Sequence, residues 1–92
     1  QGTYAITIDK FCATLNLQPN YIKIDVDGNE NQVINGMNVE IQKKTLNSIL
    51  IEVEINKNYI SINNFFNKNN FYRVEEEIIG EDHKNIIYER KI

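Results

Sequence analysis

Three carboxylates, Asp25, Asp27 and Glu30, fall within six positions around Gly28, directly after the alternating run Tyr21-Ile22-Lys23-Ile24-Asp25-Val26. In open α/β sheets the chemistry collects where strands end at their carboxyl edge, and this run has that form. Closely spaced carboxylates first suggest a hard cation held through oxygen. Successive side chains of a strand point to opposite faces, so Ile22, Ile24 and Val26 share one face while Tyr21, Lys23 and Asp25 share the other. A second apolar-acidic run, Ile49-Leu50-Ile51-Glu52-Val53-Glu54-Ile55, carries Glu52 and Glu54 on one face.

The cation reading fails on spacing. With Asp25 as first ligand of a calcium loop, the sixth position is Glu30 where the sharp turn wants glycine, and the twelfth is Gly36 where a bidentate acid is needed. No His or Cys stands nearby to complete another metal set, so no metal is expected. Local structure explains much of the cluster: Asp27 or Asn29 caps a helix, Glu30 sits in its first turn, and Gly28 supplies a permissive turn. Asp25 and Lys23 belong to the strand and are left over. A Lys and an acid inside a central strand need partners, so an ion pair from Lys23 to Glu52 is expected.

The elements that position these residues follow from periodicity. Asp9 stands at an N-cap position before a short helix with Phe11, Cys12 and Leu15 on its apolar face, and Gln18-Pro19-Asn20 ends it. Phe11 and Leu15 are expected in the core. The first strand spans Tyr21 to Val26. From about Asn29 the spacing becomes helical through Val33, Ile34 and Met37, and Gly36 ends or bends that helix. A second amphipathic turn, Val39 to Lys44, turns Val39 and Ile41 inward, with Lys43 and Lys44 near its C-terminus, and 45–48 reads as a loop. The second strand, Ser48 to Ile55, is then parallel and adjacent to the first, as a β-α-β unit requires. Tyr59, Ile62, Phe65 and Phe66 mark a third helix over 58–68. Phe71 to Ile79 and Asn85 to Ile92 form a terminal hairpin around the loop 80–84. His83 is expected solvated in that loop, and Cys12 buried as a small core residue.

Composition bounds the rest. The chain has 92 residues, a net charge of −3, 41% apolar and 25% charged residues, which describes one ordered soluble domain. Nucleic acid is not an expected partner, because its binding needs clustered Lys and Arg and Lys43-Lys44 is too small a patch. A single cysteine allows no internal disulfide. No apolar run approaches the roughly 18 residues that would span a bilayer. No membrane partner is expected, and the expected compartment is the cytoplasm. The abundant Asn, as in Asn67-Lys68-Asn69-Asn70, carries no functional weight.

The succession Thr7-Ile8-Asp9, Tyr21 to Glu30, Val33-Ile34-Asn35-Gly36 and Ile49-Leu50-Ile51-Glu52-Val53 resembles the C-terminal half of FkbM-type S-adenosylmethionine-dependent methyltransferases, up to about Phe71. The family pattern has a threonine-leucine-aspartate start, a lysine-isoleucine-aspartate-valine-glutamate-glycine strand end, an acid two residues on, a leucine-x-glycine helix end and a strand bearing glutamate. Asp27 stands where the family has the longer glutamate. The resemblance implies an α/β fold: part of a Rossmann-like methyltransferase sheet, parallel strands followed by a C-terminal antiparallel hairpin, with helices packed on the sheet. The four strands would be the family's fourth to seventh, in the spatial order fourth, fifth, seventh, sixth.

It further implies O-methyl transfer to a sugar or other small hydroxyl-bearing acceptor. Asp25 would orient or deprotonate the acceptor, Lys23 and Glu52 would support it, and Asp27, Gly28, Glu30 and Glu54 would lie near substrate or cofactor. The implied cofactor is S-adenosylmethionine. No glycine-rich turn follows a strand before Tyr21, and no acid follows a second strand to hold a ribose. The chain is therefore expected to be a C-terminal part lacking the cofactor-binding half, unable to bind the cofactor tightly or transfer methyl alone. Its Tyr21 to Val26 edge is left open to strand addition or homodimerisation. The alternative is a non-enzymatic binding or scaffold module that pairs through that edge.

Overall fold

The computed structural model describes residues 7–25, 30–55 and 59–92. The elements are α1 (Ile8–Leu15), β1 (Tyr21–Ile24), α2 (Glu30–Asn35), a 3₁₀ turn (Glu40–Gln42), β2 (Ser48–Glu54), α3 (Tyr59–Lys68), β3 (Phe71–Ile79) and β4 (His83–Arg90). They build one four-stranded sheet in the order β1-β2-β4-β3. β1 and β2 are parallel, while β4 is antiparallel to both β2 and β3. This is the expected strand order, with the last strand inserted beside the second.

The period-two pattern of β2 is realised without exception: Ile49, Ile51 and Val53 are buried while the alternate residues are half-buried. Register places Ile22 and Ile24 of β1 beside Ile49 and Ile51, and Tyr88 and Ile86 of β4 on their other side. Ile34, Met37, Ile41, Ile62 and Phe66 from the helical segments close over this face and complete the core. The molecule is only 17 Å thick along its shortest axis, which decides for two layers rather than three. The opposite sheet face carries Lys23, Leu50, Glu52, Glu54, His83, Asn85 and Ile87, and no described helix lies on it.

Several expectations are corrected at α1 and the segment after α2. Thr7, not Asp9, is the N-cap of α1: its hydroxyl accepts from the Lys10 N–H at 3.0 Å. Asp9 lies inside the helix, and its carboxylate accepts from the N–H groups of Val39 and Glu40, both at 2.8 Å, so it caps the 3₁₀ turn instead. Phe11 and Leu15 are 45% and 54% exposed, while Cys12 is buried. α1 touches the rest of the fold mainly through the 3₁₀ turn, so only a narrow stripe around Cys12 is covered. Val39 is 57% exposed because the turn is a single 3₁₀ turn, too short for a helical face, and its buried residues are Glu40 and Ile41. Leu46, in the segment read as a polar loop, is fully buried.

Gly36 does end α2, but not through a left-handed backbone, which among the described glycines only Gly80 adopts. A Cβ at Gly36 would stand 2.8 Å from Thr7 Cβ and 2.9 Å from Thr7 Cγ2. The Gly36 carbonyl also accepts the Asp9 N–H at 2.9 Å. Two of the sequence signatures, Thr7-Ile8-Asp9 and Val33-Ile34-Asn35-Gly36, therefore meet in one knot that fixes α1 against the end of α2. Their role is structural.

Candidate functional site

β1 ends with Ile24 beside Ile51, so Asp25 leaves the strand at the level of Glu52. On the other side of β2, Glu52 lies opposite Asn85 and Glu54 opposite His83. Alternation sends Glu52 and Glu54 to the face without helices, and Asp25 is the first residue beyond β1. Three carboxylates thus gather at the carboxyl end of the parallel pair, where open α/β sheets place their ligands. Asp25 is exposed, and Glu52 and Glu54 are half-buried. Among the described residues none of the three has a hydrogen-bond or ion-pair partner. Hydrogen-bond acceptors held on strand ends with no competing donor can receive the hydroxyls of a polyol.

Lys23 is on the same face and exposed, and the expected Lys23 to Glu52 ion pair is not formed. Register explains this, because it pairs Lys23 with Leu50 and puts Glu52 two residues farther along β2. The premise of a central strand also fails in the described sheet, where β1 is an edge and its lysine reaches water.

His83 is the residue that sequence reasoning missed. Gly80 takes a φ of 64°, a left-handed conformation that lets the turn close over Gly80, Glu81 and Asp82. His83 therefore begins β4 opposite Glu54 rather than lying in a loop. Its Nδ1 is 2.7 Å from Asp82 Oδ1, so the carboxylate fixes the ring and its tautomer. The Asp82 carbonyl accepts the Ile55 N–H at 2.8 Å and holds the turn against the end of β2. The available signal was the glycine: a shorter turn begun by Gly80 makes His83 a strand residue on the face of Glu54.

Asp27 and Gly28, with Val26 and Asn29, lie outside the described residues. Glu30 is 1% exposed at the first turn of α2 and so is withdrawn from the open face. Among the described residues no three His, Cys, Asp or Glu side chains converge as a metal site. The described glycines do not form a cofactor cradle either. Gly36 is filled by Thr7, and Gly80 stands in a turn with nothing within 4 Å of its Cβ position. No described helix is long and apolar enough to cross a membrane.

Other titratable groups are engaged within the fold. Glu40 is buried with its Oε2 2.7 Å from Lys43 Nζ, and that hydrogen bond raises the Lys43 pKa. Burial, reinforced by Glu40, pushes the Cys12 thiol up and away from reactivity. Glu76 bonds Lys84 at 2.7 Å and Arg73 at 3.2 Å, and the Lys84 hydrogen bond holds its carboxyl below the usual range.

Comparison with family models finds a match over residues 3–87 to the model described as Methyltransferase FkbM domain. Neither the curated proteins nor the solved structures contain a match to the chain.

Proposed function

The chain belongs to the methyltransferase FkbM domain family, and from that premise we propose that its open sheet face binds the acceptor of an O-methyl transfer. The acceptor in this reading is a sugar or another small hydroxyl-bearing molecule. The observation that carries it is the set of partnerless carboxylates, Asp25, Glu52 and Glu54, beside the His83–Asp82 pair at one sheet end. Carboxylates accept hydrogen bonds from hydroxyls, and one of them also accepts the proton as the hydroxyl oxygen becomes nucleophilic.

Asp25, at the strand end, is assigned that orienting or proton-accepting role, with Glu52 and Lys23 in support. Asp27, Gly28, Glu30 and Glu54 are assigned to the substrate or cofactor vicinity. His83, with its tautomer set by Asp82, is the second acid–base candidate. The family implies S-adenosylmethionine as the methyl donor. The described residues do not form a glycine cradle for it, and no step proposed here runs through the cofactor.

The test is methyl transfer by the native polypeptide that carries this domain, with a panel of sugar and small-molecule hydroxyl acceptors. Asp25→Asn is expected to lower kcat by roughly 10²- to 10⁴-fold, the usual worth of a proton acceptor, with donor affinity unchanged. Undiminished kcat in Asp25→Asn would remove the assignment. A binding module is the second reading, favoured by β1 standing at the edge of the described sheet with Tyr21 exposed. It predicts a concentration-dependent dimer and no transfer to any acceptor.

A further inference from the structure

At the end of the sheet opposite the carboxylates, Lys44, Lys68, Arg90 and Lys91 line one open cleft of about 530 Å³, together with Gln42 and Asn70. No acidic side chain lines it. Four of the ten Lys and Arg residues in a chain of net charge −3 thus converge on one place. Among the described residues none of the four is ion-paired to a carboxylate side chain, although Lys43, Arg73 and Lys84 all are.

The cleft is more than a fringe of mobile lysines, because Arg90 is held in place from two sides. Its Nε donates to the Leu46 carbonyl at 2.8 Å, and its Nη2 donates to the carbonyls of Ile41, at 3.1 Å, and Lys43. The guanidinium lies over the Phe71 ring, 4.6 Å from its centroid. These bonds occupy Nε and Nη2 and leave the Nη1 edge without a partner among the described residues. Carbonyls fix the group without neutralising it, and burial lowers the Arg90 pKa with no carboxylate to offset the effect. A fixed guanidinium loses little freedom on binding an anion, and its geometry suits phosphoryl oxygens. Lys68 closes α3, and Lys91 is anchored by its N–H to the Asn70 carbonyl at 2.8 Å.

We propose that this cleft is a binding site for a phosphate-bearing small molecule, with Arg90 receiving the phosphoryl group and Lys44, Lys68 and Lys91 surrounding it. Several cations favour a group with more than one negative charge over a monocarboxylate. The volume is that of an ordinary ligand site, larger than a bare phosphate needs. The site is about 20 Å from the carboxylates along the seven-residue strand β2, and the proposal holds whether or not methyl transfer occurs at the other end.

The test is titration of the isotope-labelled intact protein with sodium pyrophosphate at constant ionic strength, read by amide chemical shifts. Saturable shifts are expected at residues 68–71 and 90–92. Lys68→Ala with Lys91→Ala should weaken binding roughly tenfold, as two exposed charge contacts imply. Lys84→Ala, which removes one cation at the far end of β4, should change it less than about twofold on the same scale. Arg90→Ala is avoided because the fold uses it. The proposal is overturned if pyrophosphate produces no more than matched sodium chloride does, or if the double variant binds as tightly as the parent.

Discussion

Where β1 and β2 finish, Asp25, Glu52 and Glu54 stand without partners on an uncovered face. Where those strands begin, Arg90 donates to three carbonyls and lies on Phe71. The two ends differ in sign of charge and, more instructively, in what the fold asks of it. Backbone carbonyls of Ile41, Lys43 and Leu46 depend on the Arg90 guanidinium, so that cation is part of the scaffold. Nothing in the described fold depends on the three acids. A fold of this size has little stability to spare, and charge retained where it supports nothing is charge available to a ligand. The two ends should therefore respond to substitution in opposite ways.

The largest effect is expected at the basic end. Arg90→Ala takes the donor from the Ile41 and Leu46 carbonyls, takes one of two donors from the Lys43 carbonyl, which keeps the Leu46 N–H, and uncovers Phe71; it should cost about 3–5 kcal/mol in unfolding free energy. Arg90→Lys should recover only part of this, since an ammonium cannot reproduce a fork of donors. Urea unfolding measures both. A loss below about 1 kcal/mol for the alanine variant would make Arg90 as dispensable as the acids and erase the contrast.

A pH limb sharpens how far the scaffold role of that end reaches. Phe71 packs edge-on against Phe66 at 6.0 Å, and Phe66 stacks on Tyr88 at 4.3 Å, so Arg90 is joined to the core through three rings. Burial pushes the Tyr88 phenol from 10.0 up to about 12. A raised folded pKa means that folding favours the neutral phenol. This contribution is whole below pH 10 and is lost as pH rises to about 12, for a total of roughly 2–3 kcal/mol. Thermal melts across this range should show the loss in the parent. Tyr88→Phe keeps the ring, forfeits the bond to Asn63 and lacks the step. Equal alkaline losses in parent and variant would detach Tyr88 from the limb.

The contrast also marks what could be read from the sequence. Strand periodicity in Ile49 to Val53, the β-α-β succession and the hairpin were legible because burial on one sheet face imposes strict alternation. The strand order came with the family resemblance. The acid end was legible in part: Asp25 stands out where an alternating run stops and Glu52 and Glu54 alternate along a second run, while the place of His83 opposite Glu54 depended on a turn shorter than expected. The basic end was not: Lys44, Lys68, Arg90 and Lys91 come from three separate stretches that only the tertiary fold joins, and the adjacent pairs Lys43-Lys44 and Arg90-Lys91 are each too short to mark a patch. The same limitation explains Asp9, whose cap partners Val39 and Glu40 lie thirty and thirty-one residues away. It explains the failed Lys23 to Glu52 pair as well, which depended on a register that alternation alone does not set.

The smallest stability effect is expected at the acid end, and its smallness is what gives it value. Asp25→Asn combined with Glu52→Gln removes two like charges on neighbouring strands, which are about 5 Å apart. No hydrogen bond or ion pair is lost with them. Water screens exposed charges, so the relief of repulsion should amount to no more than about 0.5 kcal/mol. Its sign should be stabilising at low ionic strength, and it should fade as salt shortens the screening length. Urea midpoints of parent and double variant at low and high sodium chloride would measure this. A destabilisation above about 2 kcal/mol would mean that these carboxylates are tied into the scaffold as Arg90 is. Stability unchanged to within that small margin, together with lost turnover in Asp25→Asn, would locate their role in the ligand rather than in the fold.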